Sequence, residues 1–233
     1  MKLYYDLHIH SALSPCGDND MTPNNIVNMA IIKGLGVIAV TDHNSAGNVR
    51  AVTNVAKDNI LVIPGMEVTT SEEVHVLCYF PCVEAAEDMG ELVYDSLPRI
   101  KNKSDIFGNQ YYMDENDEIK REEERLLISA TSLSIYKVRE EAIKRGGVMI
   151  PAHVDKSSYS VHSNLGFMPP DLDINSIEIT RQNIENMRKT YQGYNLFINS
   201  DAHYLEDISE AERALDILDK KPEEFIKNLS NFK

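Results

Sequence analysis

Two histidines lie one residue apart near the start of the chain, in the stretch DLHIHS that begins at Asp6. Alternate side chains of a strand point to the same face, so Asp6, His8 and His10 would project to one side of the first predicted strand. Two imidazoles directed at one point are ligands that suit zinc, manganese or iron. Since a His-x-His pair also occurs at ordinary buried strand ends, its interpretation depends on the rest of the chain.

Further histidines and carboxylates stand at the ends of short apolar runs. Of the seven histidines in the chain, six have such positions, and these are His8, His10, His43, His75, His153 and His203. Glu67 and Asp201 have the same kind of position, in IPGMEV and FINSDAHY. The carboxyl ends of parallel strands meet at one edge of a barrel or sheet, where active sites are assembled. The pattern therefore predicts one cluster at that edge.

Apolar, β-branched runs alternate with helical patterns, which indicates an α/β fold, either a barrel or an open doubly wound sheet. The predicted strands cover residues 3–7, 37–41, 61–65, 74–80, 148–152, 176–180 and 196–200. Several of them, such as VIAVT and VMIPA, are continuous apolar runs, which is typical of parallel strands covered on both faces. In TPNNIVNMAIIKGLG, Thr22 is placed to cap a helix whose first residue is Pro23.

The chain has 233 residues, enough for one sizeable core, so we expect a single domain over residues 1–233. Residues 83–145 depart from the alternation and are interpreted as an insertion or excursion that caps the core. It would contain a helix over residues 83–100 and a hairpin within GNQYYMDENDEIKREEERLL. The charged run from Lys120 to Arg125 is interpreted as a solvent-exposed helix face.

Composition limits the expected partners and compartment. The net charge is −14, from 37 acidic and 23 basic residues, and no basic cluster is evident, so we expect no binding of long nucleic acid. No run approaches about 18 apolar residues and no apolar leader opens the chain, so we expect no membrane contact. The three cysteines, Cys16, Cys78 and Cys82, are a sparse, odd set that predicts reduced thiols and a cytoplasmic protein. The oligomeric state is not encoded in any recognisable pattern.

Five motifs together resemble a known family. DLHIHS, TDHN, PGME, PAH and SDAH follow one another over residues 6–203, and in this order they are similar to the motifs of the PHP (polymerase and histidinol phosphatase) superfamily of metal-dependent phosphoesterases. The resemblance implies a distorted (β/α)7 barrel with its metal site at the C-terminal ends of the strands. That number of strands agrees with the independent prediction above.

The resemblance also implies a set of metal ligands for two or three divalent ions of zinc, manganese or iron. The first ion would be held by His8, His10, Glu67 and Asp201. Glu67 would bridge to a second ion held by His75 and His153. A third would be held by His43, His203 and a residue of the loop after His10.

The loop residue is open, because Pro15 occupies the position at which the family usually carries Asp or His. Alignment of the end of the loop on Thr22 and Pro23 favours Asp18. Cys16 and Asp20 remain alternatives.

Other polar residues are assigned supporting roles. Asp6 and Asp42 are expected to accept the free ring N–H of a ligating histidine and so fix its orientation. Lys156 and Arg181 follow strand ends at the same rim and are expected to bind an anionic group of the substrate. His162 is interpreted as an ordinary loop residue.

The chemistry expected from this set is hydrolysis of a small phosphate ester, such as a nucleotide, histidinol phosphate or a sugar phosphate, by a metal-bridging hydroxide. The catalytic group would comprise His8, His10, Glu67, Asp201 and His203. The chain contains neither a G-x-S-x-G elbow nor a P-loop lysine motif. Two alternatives are a metal-binding regulatory module without turnover and an amidohydrolase-type C–N hydrolase. The second usually needs a lysine at a strand end, and none stands there convincingly.

Overall fold

The structure is a computed structural model that describes residues 1–231. Its strands are Lys2–Ile9 (β1), Val37–Val40 (β2), Leu61–Val62 (β3), Gly65–Thr69 (β4), His75–Tyr79 (β5), Tyr111–Met113 (β6), Ile119–Glu122 (β7), Val148–Pro151 (β8), Ser176–Glu178 (β9), Asn195–Phe197 (β10) and Ala214–Asp216 (β11). Its helices are Pro23–Ile32 (α1), Val49–Ala56 (α2), Val83–Ser96 (α3), Ser104–Phe107 (α4), Ile135–Lys144 (α5), Val161–Leu165 (α6), Ile184–Thr190 (α7) and Pro222–Asn231 (α8). The fold is therefore mixed α/β, as the alternation predicted.

One sheet has the strand order β11-β1-β2-β3. β1, β2 and β3 are parallel, as expected, whereas β11 is an antiparallel edge strand that the sequence analysis did not predict. Every residue of β2 is buried, which explains the continuous apolar run VIAV. Between β1 and β2, helix α1 begins as predicted: Thr22 is its N-cap and accepts a hydrogen bond from the amide of Asn25 at 3.3 Å.

A second sheet has the order β4-β5-β8, and all its pairs are antiparallel. The prediction of parallel strands is wrong here, because β4 turns back into β5 through a tight turn in which the amide of Thr70 donates to the carbonyl of Val74 at 2.9 Å. These strands are nevertheless buried on both faces. Met66 and Cys78 pack towards α3 and α5, while Leu77 packs towards β1 and β2. Burial on both faces, not strand direction, produced the apolar runs.

Backbone hydrogen bonds and bridges join the sheets at one edge. His43, just after β2, forms a bridge with Glu67 of β4, and Ile9 forms one with Ala202. The parallel pair β9-β10 is joined to the end of β8, where the amide of Val154 donates to the carbonyl of Glu178 at 2.9 Å. Because β5 runs against β4 and β8, its first residue lies where theirs end. All the strand ends that carry predicted ligands therefore face one rim.

The segment 83–145 contains α3, α4, the hairpin β6-β7 and α5. The charged run was wrongly interpreted as a helix face: Lys120 lies in the exposed strand β7. The hairpin packs on the first βα loop, since the carboxylate of Asp117 accepts from the hydroxyl of Thr22 at 2.8 Å. A Cβ on Gly108, whose φ is +98°, would come within 1.9 Å of the carbonyl oxygen of Pro15, so only glycine fits. The excursion thus supports the loop that follows His10.

Within the described residues, 1–231, no helix combines the length and the apolar character needed to cross a bilayer.

Candidate metal centre

Glu67 lies at the centre of the rim, in the middle of β4, and its side chain is 1% exposed. Five imidazoles approach its two carboxylate oxygens, and the nitrogen–oxygen distances are 2.9 Å for His43, 2.9 Å for His75, 3.3 Å for His153, 3.4 Å for His8 and 3.5 Å for His10. Burial alone would raise the pKa of this carboxyl, but His75, His8 and His43 outweigh it and hold the pKa well below its usual value. Glu67 is therefore an anion surrounded by potential metal ligands.

His8 and His10 point their Nε2 atoms at each other across 3.1 Å. Oδ1 of Asp201 lies 3.3 Å from the first nitrogen and 3.2 Å from the second. Two nitrogen lone pairs at this separation repel each other, so a proton or a metal ion must lie between them. Burial lowers the pKa of His8, but Glu178, Asp201 and Glu67 raise it well above its usual value. The pKa of His10 is held well below its usual value by burial and by the neighbouring His203 and His43.

Glu178 fixes the ring of His8, a role that the sequence analysis did not assign. Nδ1 of His8 lies 3.0 and 3.1 Å from the two carboxylate oxygens of Glu178, so this nitrogen donates and Nε2 is the ring atom available to a metal ion. The carboxylate is held in turn by Asn199, at 2.7 Å, and by the amide of His153, at 2.9 Å. The signal available in the sequence was a carboxylate inside the predicted strand 176–180, in SIEIT.

His10 is fixed by a relay through Ser14. The Ser14 hydroxyl donates to Oδ1 of Asp42 at 2.7 Å and so accepts from Nδ1 of His10 at 2.9 Å. Asp42 was expected to accept the histidine N–H directly, but it accepts from the Ser14 hydroxyl, which lies between it and His10. Asp6 differs from the expectation, because among residues 1–231 its carboxylate accepts from backbone amides and makes no hydrogen bond with a ring nitrogen. It accepts the backbone amides of Ser200, at 3.1 Å, and Ser209, at 2.8 Å, and so ties the strand that leads to Asp201 to β1.

A second group of imidazoles lies on the outer side of His10. Ligand nitrogens of His10, His43 and His203 lie within 4.8 Å of one another. Nδ1 of His203 lies 2.8 Å from the backbone carbonyl of Asp201, so this nitrogen donates and Nε2 is the ring atom available to a ligand. The thiol of Cys16 is hydrogen-bonded to both His43 and His203, which lower the pKa of Cys16 to about 6 against the opposing effect of burial.

Asp18, the preferred residue for this position, is not brought to the imidazoles. Its Oδ1 accepts the amide of Asp20 at 2.8 Å, within its own turn, and its backbone amide donates to the carbonyl of His203 at 2.9 Å. Asp20 is exposed. The turn directs the side chain of Cys16, and not a carboxylate, at the histidines.

Two of the predicted ligands have left-handed backbone conformations. The φ angles are +27° at His153 and +56° at Asp201. Such conformations are strained for residues other than glycine and concentrate at functional sites. The surrounding structure therefore holds both side chains where an unconstrained chain would not place them.

A pocket of about 330 Å³ opens beside Asp201. Its walls include both predicted substrate-binding cations, Lys156 and Arg181. The ammonium of Lys156 forms an ion pair with Oδ2 of Asp201, and the pKa of Lys156 is raised because this pair outweighs burial. Arg181 donates to the hydroxyl of Ser209 at 2.8 Å. His162 is exposed and lies by Tyr191, with a ring-centroid distance of 5.4 Å.

The donor atoms of the cluster fit divalent metal ions. Among the described residues, buried atoms that make no well-aligned hydrogen bond include Nδ1 of His153, and Nδ1 of His43 and Oε2 of Glu67, which face each other at 2.9 Å. Buried polar atoms are ordinarily paired, so unpaired ones in one cluster indicate a missing partner. Neutral imidazoles with carboxylates are the donor set that zinc, manganese and iron accept.

The sequence profile of the PHP domain family matches residues 6–206, which contain every histidine and carboxylate of the cluster. The chain belongs to the PHP family. Membership confirms the family predicted from the five motifs and assigns this PHP domain to a class of metal-dependent phosphoesterases.

Partial similarities in sequence exist to two curated ribonucleases. The 5'-3' exoribonuclease of Haemophilus influenzae is 32% identical over 81 residues, which are 33% of this chain and 28% of that protein. The 5'-3' exoribonuclease Rnm of Salmonella typhimurium is 30% identical over 79 residues, 31% of this chain and 26% of that protein. The aligned part thus spans less than a third of either relative.

Two solved structures match this chain over a larger share of its length than the ribonucleases do. The lesion-specific endonuclease PfuEndoQ of Pyrococcus furiosus superposes with a TM-score of 0.76 at 20% identity, over 100% of this chain and 57% of that one. A putative metal-dependent phosphoesterase of Bifidobacterium adolescentis has a TM-score of 0.62 at 18% identity, over 91% of this chain and 92% of that one.

The expectation that long nucleic acid is excluded is wrong. The two partial relatives are ribonucleases, and a structure of Endonuclease Q with a 27-mer duplex has the fold of this PHP domain, with a TM-score of 0.71 at 19% identity over 98% of this chain and 56% of that one. A net charge of −14 averages over the whole surface. It does not describe the rim, where Lys156 and Arg181 stand beside the pocket.

The role of Glu178 is testable by substitution. Glu178→Gln is expected to lower metal affinity about 10- to 100-fold, because a neutral amide holds the His8 ring less firmly and makes it a weaker ligand. Competition with a chromogenic chelator measures the affinity. Glu185→Gln, on the exposed side of α7, is the matched control and should have no effect. Equal affinities for the two variants would contradict the role assigned to Glu178.

Proposed function

We propose that this PHP domain hydrolyses phosphate ester bonds in a nucleic acid or nucleotide with the help of two or three divalent metal ions. The observation that carries the proposal is the convergence of unshared lone pairs: Nε2 of His8 and Nε2 of His10 lie 3.1 Å apart, and both are about as close to Asp201. A proton shared by the two nitrogens satisfies this contact in the metal-free protein, and a divalent ion held by both nitrogens and by Asp201 would replace that proton.

The ligands would divide into three sets. The first is His8, His10, Glu67 and Asp201; the second is Glu67, His75 and His153; the third is His43 and His203 with a residue of the loop after His10. When bound, such ions lower the pKa of a water molecule and neutralise charge on phosphate oxygens. Zinc, manganese and iron are all compatible with this donor set.

The chain's own residues prepare the site for this chemistry. Glu178 and the Ser14–Asp42 pair hold the rings of His8 and His10 with their Nε2 atoms inward. Lys156 and Arg181, on the pocket wall, would contact the non-bridging oxygens of the substrate phosphate, where guanidinium and ammonium groups are effective.

Two substrate classes follow from different observations. A nucleic acid is favoured by the partial similarity to 5'-3' exoribonucleases and by the shared fold with Endonuclease Q. A small ester, such as a mononucleotide, is the second candidate, because a pocket of about 330 Å³ is at the small end of ligand sites.

The test is an assay of the purified chain, after metal analysis, on labelled RNA, single-stranded DNA, duplex DNA with an abasic site, and mononucleotides, each with added manganese or zinc. Cleavage of a phosphodiester that a chelator abolishes is the expected result. Release of inorganic phosphate from mononucleotides alone would favour the small-ester candidate. Bound metal without turnover on any substrate would overturn the proposed activity in favour of a regulatory module, and failure to bind metal would overturn the centre itself.

The barrel is also a proposal. The series β1, β2, β4, β5, β8, β9 and β10 would close into the distorted seven-stranded barrel that the PHP resemblance implies. Supporting it are the bridges His43–Glu67 and Ile9–Ala202 and the hydrogen bond from Val154 to Glu178, which connect successive sheets. Leu77 of β5 shares an apolar cluster with Leu7 of β1, as interior residues of a barrel would.

Arg181→Ala is expected to raise the KM for an anionic substrate about tenfold, because one charge-assisted hydrogen bond to phosphate is lost, with metal content unchanged. Steady-state kinetics with parallel metal analysis measure both quantities. Arg188→Ala, which removes an exposed arginine from α7, is the control. Identical kinetics of the two variants would show that Arg181 does not contact the substrate.

A further inference from the structure

A groove outside the metal centre runs along the excursion. Its first part is a cavity of about 350 Å³ between α3, the hairpin β6-β7 and the loop after β2, and its walls include Tyr94, Tyr112 and Arg121. Its second part is a cavity of about 320 Å³ whose walls include Arg99, Lys101 and Arg125. Tyr94 lines both cavities, which therefore adjoin. Together they are called the excursion groove.

A buried carboxylate holds the two tyrosines of the excursion groove. Glu123 is 3% exposed, and it accepts from the hydroxyl of Tyr94 at 3.0 Å and from that of Tyr112 at 3.2 Å. The guanidinium of Arg121 lies over the ring of Tyr112, 3.8 Å from the ring centroid. Since the Arg121 side chain is 63% exposed, its outer face is open to another flat group. Aromatic rings and stacked guanidinium groups are the surfaces on which nucleobases stack.

The charge differs between the two parts of the groove. In the second part, three cations face one carboxylate among the lining residues, that of Glu124. Such cations bind phosphate groups. The first part contains Glu87 and Glu91, and Glu87 is already paired with Arg50 at 2.6 Å. Carboxylates accept hydrogen bonds from the amino groups of bases, so the two parts suit a base and the phosphates next to it.

The excursion groove begins at the rim that carries the metal centre. Ser45, two residues after His43, lines its first part. A Cβ on Gly47 would lie 2.1 Å from Cε1 of Tyr112, so glycine is needed for this tyrosine to pack on the loop. The loop that presents His43 to the centre therefore also forms a wall of the groove.

We propose that the excursion groove binds the part of a single-stranded nucleic acid that lies outside the metal centre. One base would stack on the Tyr112–Arg121 pair, and backbone phosphates would contact Arg99 and Lys101. The inference rests on the proposed function and names single-stranded nucleic acid as its substrate class. Cations beside aromatic side chains bind single strands with little dependence on sequence. Cations placed along one path let a chain of net charge −14 bind a polyanion.

Binding can be measured without turnover, by the fluorescence anisotropy of a labelled RNA of about 12 nucleotides mixed with the chelator-treated protein. Arg121→Ala should weaken binding about tenfold, because one stacked base is lost. Arg188→Ala, on the exposed side of α7, is the matched control. Affinity of Arg121→Ala equal to that of the control would overturn the inference.

The salt dependence tests the phosphate contacts separately. Lys101→Ala should make the slope of log K against log salt concentration shallower by about 0.7, the change expected for one phosphate contact on a single strand. Lys189→Ala, which removes an exposed lysine of α7, is the control and should keep the slope of the wild-type chain. Equal slopes for the two variants would contradict the assigned path of the backbone.

Photochemical cross-linking provides a measurement that needs no variant. RNA that carries 5-iodouridine becomes joined to aromatic side chains that stack on the base, and peptide mass spectrometry locates the bond. The expected products lie on Tyr94 or Tyr112, and excess unlabelled single strand should abolish them. Cross-links confined to other residues would overturn the inference, and so would a mononucleotide that competes as well as the full strand.

The outcomes separate this inference from the proposed function. Binding in the groove without cleavage of any phosphodiester would overturn the proposed activity and leave the groove as a binding surface. Cleavage of RNA with a KM that Arg121→Ala and Lys101→Ala do not change would overturn the role of the groove and leave the centre intact.

Discussion

Glu67→Gln is expected to abolish phosphoester hydrolysis, with a loss of at least about 10³-fold, because residues that act as one unit fail together. The substitution keeps the shape of the side chain and removes its charge. Five imidazole nitrogens lie within 3.5 Å of this carboxylate, and a neutral amide cannot join two cations. Metal analysis by mass spectrometry should show at least one equivalent fewer.

A surface carboxylate provides the control for this prediction. Glu84→Gln neutralises a residue of α3 whose side chain is 70% exposed and lies outside the centre, so its activity and metal content should match wild type. Circular dichroism of both variants shows whether the fold is retained. A folded Glu67→Gln variant with full metal content and normal rates would disprove the bridging role.

Asp201→Asn is expected to lower activity on the order of 10²- to 10³-fold, as the loss of one strong electrostatic contact in a buried site does. Asparagine is chosen because it tolerates the left-handed conformation that Asp201 adopts, with φ +56°. The backbone is therefore preserved and only the negative charge is lost. His8 and His10 hold the pKa of Asp201 well below its usual value, against burial, so the carboxylate is ionised at neutral pH.

Asp18→Asn tests the same change in the neighbouring turn. Its carboxylate accepts a hydrogen bond from the amide of Asp20, a role that an asparagine oxygen can also fill. Rates and metal content should stay close to wild type. If Asp18→Asn lost activity as severely as Asp201→Asn, Asp18 would belong to the centre after all.

The clustering of these histidines and carboxylates at one rim could be predicted from sequence, because strand ends carry a strong local pattern. A short apolar run followed by His or Asp, repeated along an α/β chain, places those residues at one rim through geometry alone. His8 illustrates this as the last residue but one of β1, and His43 and His153 as residues that follow the ends of β2 and β8. The pattern succeeds even where strand direction was mistaken, because β5 enters the rim at its first residue.

The residues that support the ligands were harder to predict, because they depend on distances between segments far apart in the chain. Glu178 reaches His8 across 170 residues of sequence, and no local pattern encodes that contact. Asp42 was predicted to be a supporting residue, but no sequence pattern indicates that it contacts His10 through the Ser14 hydroxyl. Asp6 was misjudged since its position next to His8 in sequence says nothing about which atoms its carboxylate faces.

The loop after His10 could not be resolved from sequence for a similar reason. Cys16, Asp18 and Asp20 are all chemically capable of ligation, and their spacing is compatible with several turns. The choice depends on the turn fixed by Gly17 and on the packing of Gly108 against Pro15, and therefore on the excursion, which lies far away in sequence.

The close approach of His8 and His10 has a thermodynamic consequence. The Nε2 atoms of the two rings lie 3.1 Å apart, so a proton lies between them until a metal ion replaces it. Metal binding is then an exchange reaction, in which the protein releases a proton to the solution for the metal ion that it binds. The apparent affinity for the metal therefore rises with pH. Isothermal titration calorimetry would register this as a heat that varies with the ionisation enthalpy of the buffer.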